Sequence, residues 1–339
     1  MCKAEIPVGL VDFEIYLPDT FMDASELAKL TGIPENVIRE KLGVNRKPVG
    51  GPDDHCVTMA IKAAKKLLDK TGISPEEIDL IIYPGEEYKE YICWTGSIKI
   101  QKELGAYNCW AFDISYRCAA TPLALKLAKD LILTNDDINT VLIAGGNTNA
   151  YLVNYEDPNQ TFMFDMAPSG HAAIIKRGYE KNLILGTGIH TEPIFADDVI
   201  PLLGGTKYPI THENLDKYGW KLVLPDPERM KRDLAERSLP AFIKPVDIAL
   251  QKSGLTRADI DYLAIIHIKR SAHEAILQEL GLRPEQSVYL EDYGHTGHTD
   301  QYLSLQLALE QGKVKPGDHV VFLGAGTGYA FTATVIRWG

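Results

Sequence analysis

Short apolar runs alternate with amphipathic stretches from one end of the chain to the other. Val8–Tyr16 alternates weakly and stops at Leu-Pro, which predicts a strand. Ala24–Leu30 and Pro34–Leu42 have helical spacing and are closed by Gly32 and Gly43, so two short helices are expected. Asp54–Lys70 predicts a long helix and Tyr91–Leu104 another. Trp110–Ile114 reads as a short buried strand running directly into a helix over Cys118–Ile132. Strands are expected at Thr140–Ile143, Ala172–Ile175 and Leu183–His190. Ile194–Leu224, rich in Gly, Pro and polar residues, reads as a long loop or cap, and Pro227–Gln251 as a helical stretch interrupted at Pro240 and Pro245. A strand at Tyr262–Ile266 and a β-rich tail at Tyr329–Trp338 follow. Strands alternating with helices define the class as α/β.

The pattern repeats at the scale of a whole domain. Gly72-Ile-Ser-Pro-Glu-Glu-Ile-Asp79 parallels Gly254-Leu-Thr-Arg-Ala-Asp-Ile-Asp261, and Ile100–Gly105 parallels Ile276–Gly281. Val141–Gly146 parallels Val320–Gly326. Aligning Leu-Ala-Leu-Lys-Leu-Ala128 on Leu-Ser-Leu-Gln-Leu-Ala308 sets Cys118 opposite His298, with His295 one turn earlier. Four matches in one order, at nearly constant spacing, predict a duplicated fold rather than a solenoid. The junction is expected near Arg177–Lys181, as a tight joint inside one compact unit.

Composition narrows the function. The 339 residues suffice for two cores of ordinary domain size, and 45% apolar with 24% charged residues is a globular balance. A formal net charge of −11 and the lack of a Lys/Arg run argue against nucleic-acid binding. They also require any anion site to be a local basic patch. No apolar run approaches a bilayer span, and Met-Cys-Lys-Ala-Glu-Ile lacks the apolar segment of a signal peptide. The five cysteines, Cys2, Cys56, Cys93, Cys109 and Cys118, include no Cys-x-x-Cys pair, so neither a disulfide framework nor a zinc site is expected. The expectation is a cytoplasmic enzyme with reduced thiols.

Cys118 begins a helix after a strand, where free N–H groups favour a thiolate and can face a developing oxyanion. The competing reading is a small buried core residue. His267 ends an apolar strand, where α/β folds place ligands, or is simply a histidine satisfied by backbone. His295 and His298 lie in Gly-His-Thr-Gly-His-Thr. A surface turn and a metal pair are the alternatives, although no spacing supplies the further ligands that zinc needs. Gly324-Ala-Gly326-Thr-Gly328 follows a strand, but strand rather than helix comes next, which excludes a dinucleotide fingerprint. Such a turn can instead bring backbone close to a substrate carbonyl. Arg229, Lys231, Arg232, Lys269 and Arg270 are candidates for the basic patch, against the plain alternative of a solvated helix face.

Taken in order, Gly9-x₆-Tyr-Leu-Pro18, Ala111-Phe-Asp…Cys118, the strand ending in His267, Tyr293-Gly-x-Thr296 and Gly324-Ala-Gly326 resemble the thiolase superfamily. Within it, the resemblance is to the β-ketoacyl-acyl carrier protein synthase III family, and it spans essentially the whole chain. It implies a five-layer α/β/α/β/α fold, pseudo-equivalent halves at residues 1–178 and 179–339, and a homodimer. It sets the nucleophile on Cys118, the family histidine on His267, the third member (asparagine in this branch) on His295, and the oxyanion turn on Gly324–Gly326. The Cys-His-His set is similar to that of elongating ketosynthases, where two histidines hold the extender carbonyl during decarboxylation. The Asp-Gly-Ala-Gly turn of the family is replaced by Asp165-Met-Ala-Pro-Ser-Gly170, and Val37 stands where an aromatic often stacks on adenine. Glu87, in Gly85-Glu-Glu, resembles the catalytic glutamate of 3-hydroxy-3-methylglutaryl-CoA synthases. The implied substrates are coenzyme A or acyl carrier protein thioesters, with no permanently bound cofactor and no metal. The implied reaction is an acyl-enzyme followed by C–C bond formation. The alternatives are synthase chemistry of the 3-hydroxy-3-methylglutaryl type, acyl transfer to oxygen or nitrogen, and a silent partner subunit.

Overall fold

The computed structural model describes residues 6–339, so Cys2 lies outside the described residues. Its main sheet has nine strands. They are β1 (Val8–Tyr16), β2 (Leu80–Gly85), β3 (Trp110–Ser115), β4 (Thr140–Asn147), β5 (Ser169–Arg177), β6 (Leu183–Thr191), β7 (Tyr262–Ile265), β8 (His319–Gly326) and β9 (Ala330–Arg337). The major helices are α1 (Cys56–Thr71), α2 (Gly96–Leu104), α3 (Ala120–Thr134), α4 (Pro227–Lys252), α5 (Arg270–Leu280) and α6 (Asp300–Glu310). Strand order is β7-β8-β9-β6-β1-β5-β4-β2-β3.

The duplication is written in this order. In one half β2 is parallel to β4, β4 antiparallel to β5, and β5 antiparallel to β1. In the other β7 is parallel to β8, β8 antiparallel to β9, and β9 antiparallel to β6. Within the sheet the halves meet at β1 and β6, paired at Gly9 and Leu183. Caps repeat as well. Gly72 and Gly254 both take left-handed φ, and Ser74 and Thr256 open equivalent 3₁₀ turns with capping boxes.

Alternation along each strand feeds two cores, because successive side chains face opposite sides of a sheet. Leu80 and Ile82 of β2 point inward with Tyr262 and Ala264 of β7, and between them lie Leu125 and Ala128 of α3 and Tyr302 and Leu305 of α6. Ile81 and Tyr83 point outward onto α1 and α2. Leu263 and Ile265 point outward onto α4 and α5. The result is five layers, with α3 and α6 as the central one.

Three local expectations are corrected. The helix expected over Tyr91–Leu104 starts only at Gly96. The Asp113 carboxylate takes the N–H groups of Gly96 and Ser97 at 2.9 Å, and the Glu90 carboxylate turns back to cap α1 at Val57 and Thr58. Trp110–Ser115 is an edge strand rather than a buried one, and Trp110 is 50% exposed. Helix α4 runs unbroken through Pro240 and Pro245. Gly186 and Gly188 of β6 let it lie close enough that its packing outweighs roughly 3 kcal/mol of proline cost.

Gly146 of β4 faces the start of α1, where an added Cβ would lie 2.8 Å from the carbonyl carbon of Cys56. Gly146→Ala should destabilise the fold by about 1–3 kcal/mol. The expected reading is a lower urea midpoint at unchanged slope. An unchanged midpoint would contradict this packing.

Candidate active site

Cys118 sits in a 3₁₀ turn, Arg117–Ala119, that leads from β3 into α3. His298 sits in the matching turn, Gly297–Thr299, that leads into α6. The two elbows join where Thr121 Oγ1 donates to the His298 carbonyl. Arg117 adopts φ 53°, a left-handed conformation that costs a residue with a Cβ about 1–2 kcal/mol. Its guanidinium is tied to both Glu86 and Glu87.

Gly324 and Gly326 are not a turn, as expected, but the end of β8, paired to Thr332 and Ala330 of β9. The turn comes afterwards, at Gly328 and Tyr329, both with positive φ. The two glycines make room for the elbow. A Cβ on Gly326 would lie 2.7 Å from the Arg117 Cβ and 3.1 Å from the Cys118 nitrogen.

The buried thiol hydrogen-bonds the side chain of His295. His295 Nδ1 lies 2.6 Å from Asp300 Oδ2, so Nε2 is the nitrogen left for the thiol. Asp300 has no solvent exposure. Its Oδ2 also accepts from the His267 backbone N–H at 2.7 Å, and its Oδ1 from the Thr296 N–H and hydroxyl at 2.7 and 2.6 Å. Burial pushes the Cys118 thiol up, and His295 offsets this only in part, so the thiol stays above its ordinary value rather than below it as its place at a helix start led one to expect. Burial also opposes charge on His295, but the Cys118 thiolate and the Asp300 carboxylate hold that ring protonated well above the usual imidazole range. A thiol on an imidazole that is oriented by a carboxylate is the arrangement of an activated nucleophile.

His267 is buried at the end of β7, but its ring is engaged elsewhere. Nδ1 lies 2.7 Å from Asp165 Oδ2 and Nε2 lies 3.1 Å from the Gly43 carbonyl oxygen. His298 is fully buried and packs edge-on against His171 at 5.0 Å between ring centres. Burial pushes it down to about 4, so it is neutral. Of the two adjacent acids, Glu87 is 62% exposed and bonded to Ser115 and Arg117. Glu86 is the buried one, and its charge acts on the thiol.

The basic candidates divide. Arg229 is surrounded by Asp198, Asp226 and Asp233, and Arg232 lies against Asp233. Arg270 pairs with Glu291 and covers the Tyr289 ring. Lys231 and Lys269 are exposed, the latter two residues from His267. Among the described residues no group of three or more His, Cys, Asp or Glu could hold a metal ion. Among them too, no helix is long and apolar enough to cross a membrane.

Residues 112–193 match the family described as 3-oxoacyl-[acyl-carrier-protein] synthase III, and residues 250–338 match its C-terminal domain. The β-ketoacyl-[acyl-carrier-protein] synthase III of Caldanaerobacter subterraneus subsp. tengcongensis is 26% identical over 348 aligned positions, covering 100% of this chain and 99% of the relative. That of Coxiella burnetii is 27% identical over 325, covering 95% and 96%. The crystal structure of 3-oxoacyl-[acyl-carrier-protein] synthase III from Aquifex aeolicus superposes with a TM-score of 0.81 at 22% identity, covering 98% of this chain and all of that one. Both halves of the sheet, both elbows and both family matches therefore lead to one conclusion: the chain belongs to the β-ketoacyl-acyl carrier protein synthase III family of acyl-thioester condensing enzymes, built on the thiolase-like fold.

Proposed function

We propose that this chain takes an acyl group from a coenzyme A or carrier-protein thioester onto Cys118, then condenses it with a second, malonyl- or acetyl-type thioester. The observation that carries this reading is the Cys118 thiol on His295 with Asp300 behind it. The thiolate attacks the acyl carbonyl, the oxyanion collapses, and the carrier thiol leaves with a proton. The second thioester then loses carbon dioxide or a proton, and its enolate carbon attacks the acyl-Cys118 carbonyl and expels the cysteine. Residues 1–178 bring the nucleophile, and residues 179–339 bring the histidines that stabilise charge. His267 takes part when a substrate carbonyl oxygen replaces that of Gly43 at Nε2.

One observation favours a second reading, acyl transfer to oxygen or nitrogen. The His295–Asp300 pair has the form of a general base for a heteroatom nucleophile, and product identity separates the two. The exposed Lys269 and Lys231 are the side chains best placed to meet an acidic carrier or phosphates, with Arg229, Arg232 and Arg270 already engaged by carboxylates.

A homodimer is part of this proposal. The edge strand β3 leaves one side of its ladder unpaired, and exposed apolar side chains crowd around it: Tyr91 (67% exposed), Ile92 (71%), Ile98, Tyr107 and Trp110. An apolar edge of this kind is unstable against pairing with another chain, and a second copy of β3 would satisfy it.

Intact mass after incubation with a panel of acyl-CoAs should show a thioester adduct that Cys118→Ala abolishes. His295→Ala should slow that acylation by about 10²-fold or more, whereas His267→Ala should spare it and lower only condensation. Equal losses in both steps for both variants would contradict the division of roles.

The pH dependence follows from the pair. Asp300→Asn removes the anion that keeps His295 protonated. The thiol then loses its stabilising cation and its pKa rises, because His295 acts on it more strongly than Asp300 does directly. Iodoacetamide should alkylate Cys118 more slowly at neutral pH, by a factor of about ten for each unit of upward shift. The rate should recover as the pH is raised, and an unchanged profile would show that Asp300 does not govern the pair.

Trp110→Glu combined with Ile98→Glu should convert dimer to monomer in sedimentation. A wild-type monomer at micromolar concentration would remove the dimer from the proposal.

A further inference from the structure

We propose that Lys47 and Asp165 form a buried brace that positions the His267 ring as a hydrogen-bond donor, resting on the reading of His267 as part of the condensing site. Lys47 lies in the short strand Arg46–Val49 and is 2% exposed. A buried lysine is costly unless it is used, and this one is used. Its Nζ donates to the Phe164 and Met166 carbonyls at 2.6 and 2.8 Å and to the Tyr155 hydroxyl at 2.7 Å. It thereby grips the backbone on both sides of Asp165.

Held in this way, Asp165 serves both histidines. Its Oδ2 takes Nδ1 of His267 at 2.7 Å. Its carbonyl accepts the His295 N–H at 2.9 Å, and the His295 carbonyl accepts the Ala167 N–H at 2.8 Å. Gly294, at φ 64°, has no Cβ, and so the chain can pass close to Asp165 there. The N-terminal half thus registers the two histidines supplied by the C-terminal half.

The consequence is chemical. Both nitrogens of His267 face acceptors, a carboxylate at Nδ1 and the Gly43 carbonyl at Nε2, so both contacts are hydrogen bonds only when each nitrogen carries a proton, and Nε2 is then a donor. The Gly43 oxygen occupies the seat that a substrate carbonyl oxygen takes when it arrives. The Tyr289 ring, with centres 4.9 Å apart, limits rotation of the imidazole, and Arg270 lies over the ring of the same tyrosine. Asp165 Oδ1 is buried with no hydrogen-bond partner among the described residues, so the carboxylate has accepting capacity that its contact with His267 does not use. Burial pushes Lys47 down to about 7, with Asp165 acting in the opposite direction.

The test is a double-mutant cycle with the acylation step as internal control. Asp165→Asn should leave the Cys118 acyl adduct intact while lowering condensation turnover roughly 10²-fold or more, the kind of loss seen when a histidine is deprived of its orienting carboxylate. In a His267→Ala background the same substitution should add almost nothing, because Asp165 acts through that ring. Equal losses in both backgrounds, or no loss in either, would overturn the brace. A readout on the unmutated protein is independent of whether the variants fold and of whether a condensation product is found. In ¹⁵N-histidine spectra, assigned with His267→Asn, Nδ1 and Nε2 of His267 should both carry a proton. A bare Nδ1 or a bare Nε2 would refute the proposal. If the wild-type protein forms no condensation product from any thioester pair, the functional reading fails, while the brace still stands or falls on these spectra.

Discussion

Asp300 is a carboxylate without solvent exposure that collects four hydrogen bonds: the His295 ring, the His267 backbone, and the amide and hydroxyl of Thr296. A buried charge of this kind is tolerated only when it is fully coordinated, and removing one partner typically costs about 3–5 kcal/mol. The rest of the site is arranged around that requirement. The His295 ring is turned so that its second nitrogen reaches Cys118, and the end of β7 is drawn in by its backbone so that His267 lies beside the same carboxylate. The turn before α6 is closed by Thr296. The geometry of the site and its local stability are here one network, and neither can be relaxed without the other.

The duplicated fold has let its two central elbows diverge. Both are 3₁₀ turns at the head of a central helix, one carrying Cys118 and the other His298. The hydrogen-bond partner of the thiol is His295, three residues before the position that matches Cys118. The twin position became interior packing, with His298 neutral against His171. Cys118 and the imidazole it bonds come from different halves, and β8 supplies the glycines that let the halves close on each other at Gly324 and Gly326.

Much of the architecture was legible because it rests on local signals. The paired glycine caps, the capping boxes at Ser74 and Thr256, and the strand–elbow–helix units are each specified within a few residues. What escaped the sequence depends on distant partners. An acid at the first position of a helix, such as Asp300, reads as a complement to the helix dipole, and only the fold brings two histidines to it. Asp165 was visible as a departure from a glycine-rich family turn, but its partner Lys47 is more than a hundred positions away. The helix starting at Gly96 rather than Tyr91 was decided by the carboxylate of Asp113 on a neighbouring strand. Helix α4 kept two prolines because two glycines on β6 let it pack closely.

The pairing of Gly9 with Leu183 joins the two halves of the sheet, each with its own outer helices and its own strand order. Synthesis delivers the first half before the second. A chain interrupted at that joint would carry Cys118 without His295 or Asp300, as a thiol with no imidazole to draw off its proton. The set of thiol, imidazole and carboxylate thus comes into being only when the second half closes on the first, and an unfinished molecule holds the thiol without it.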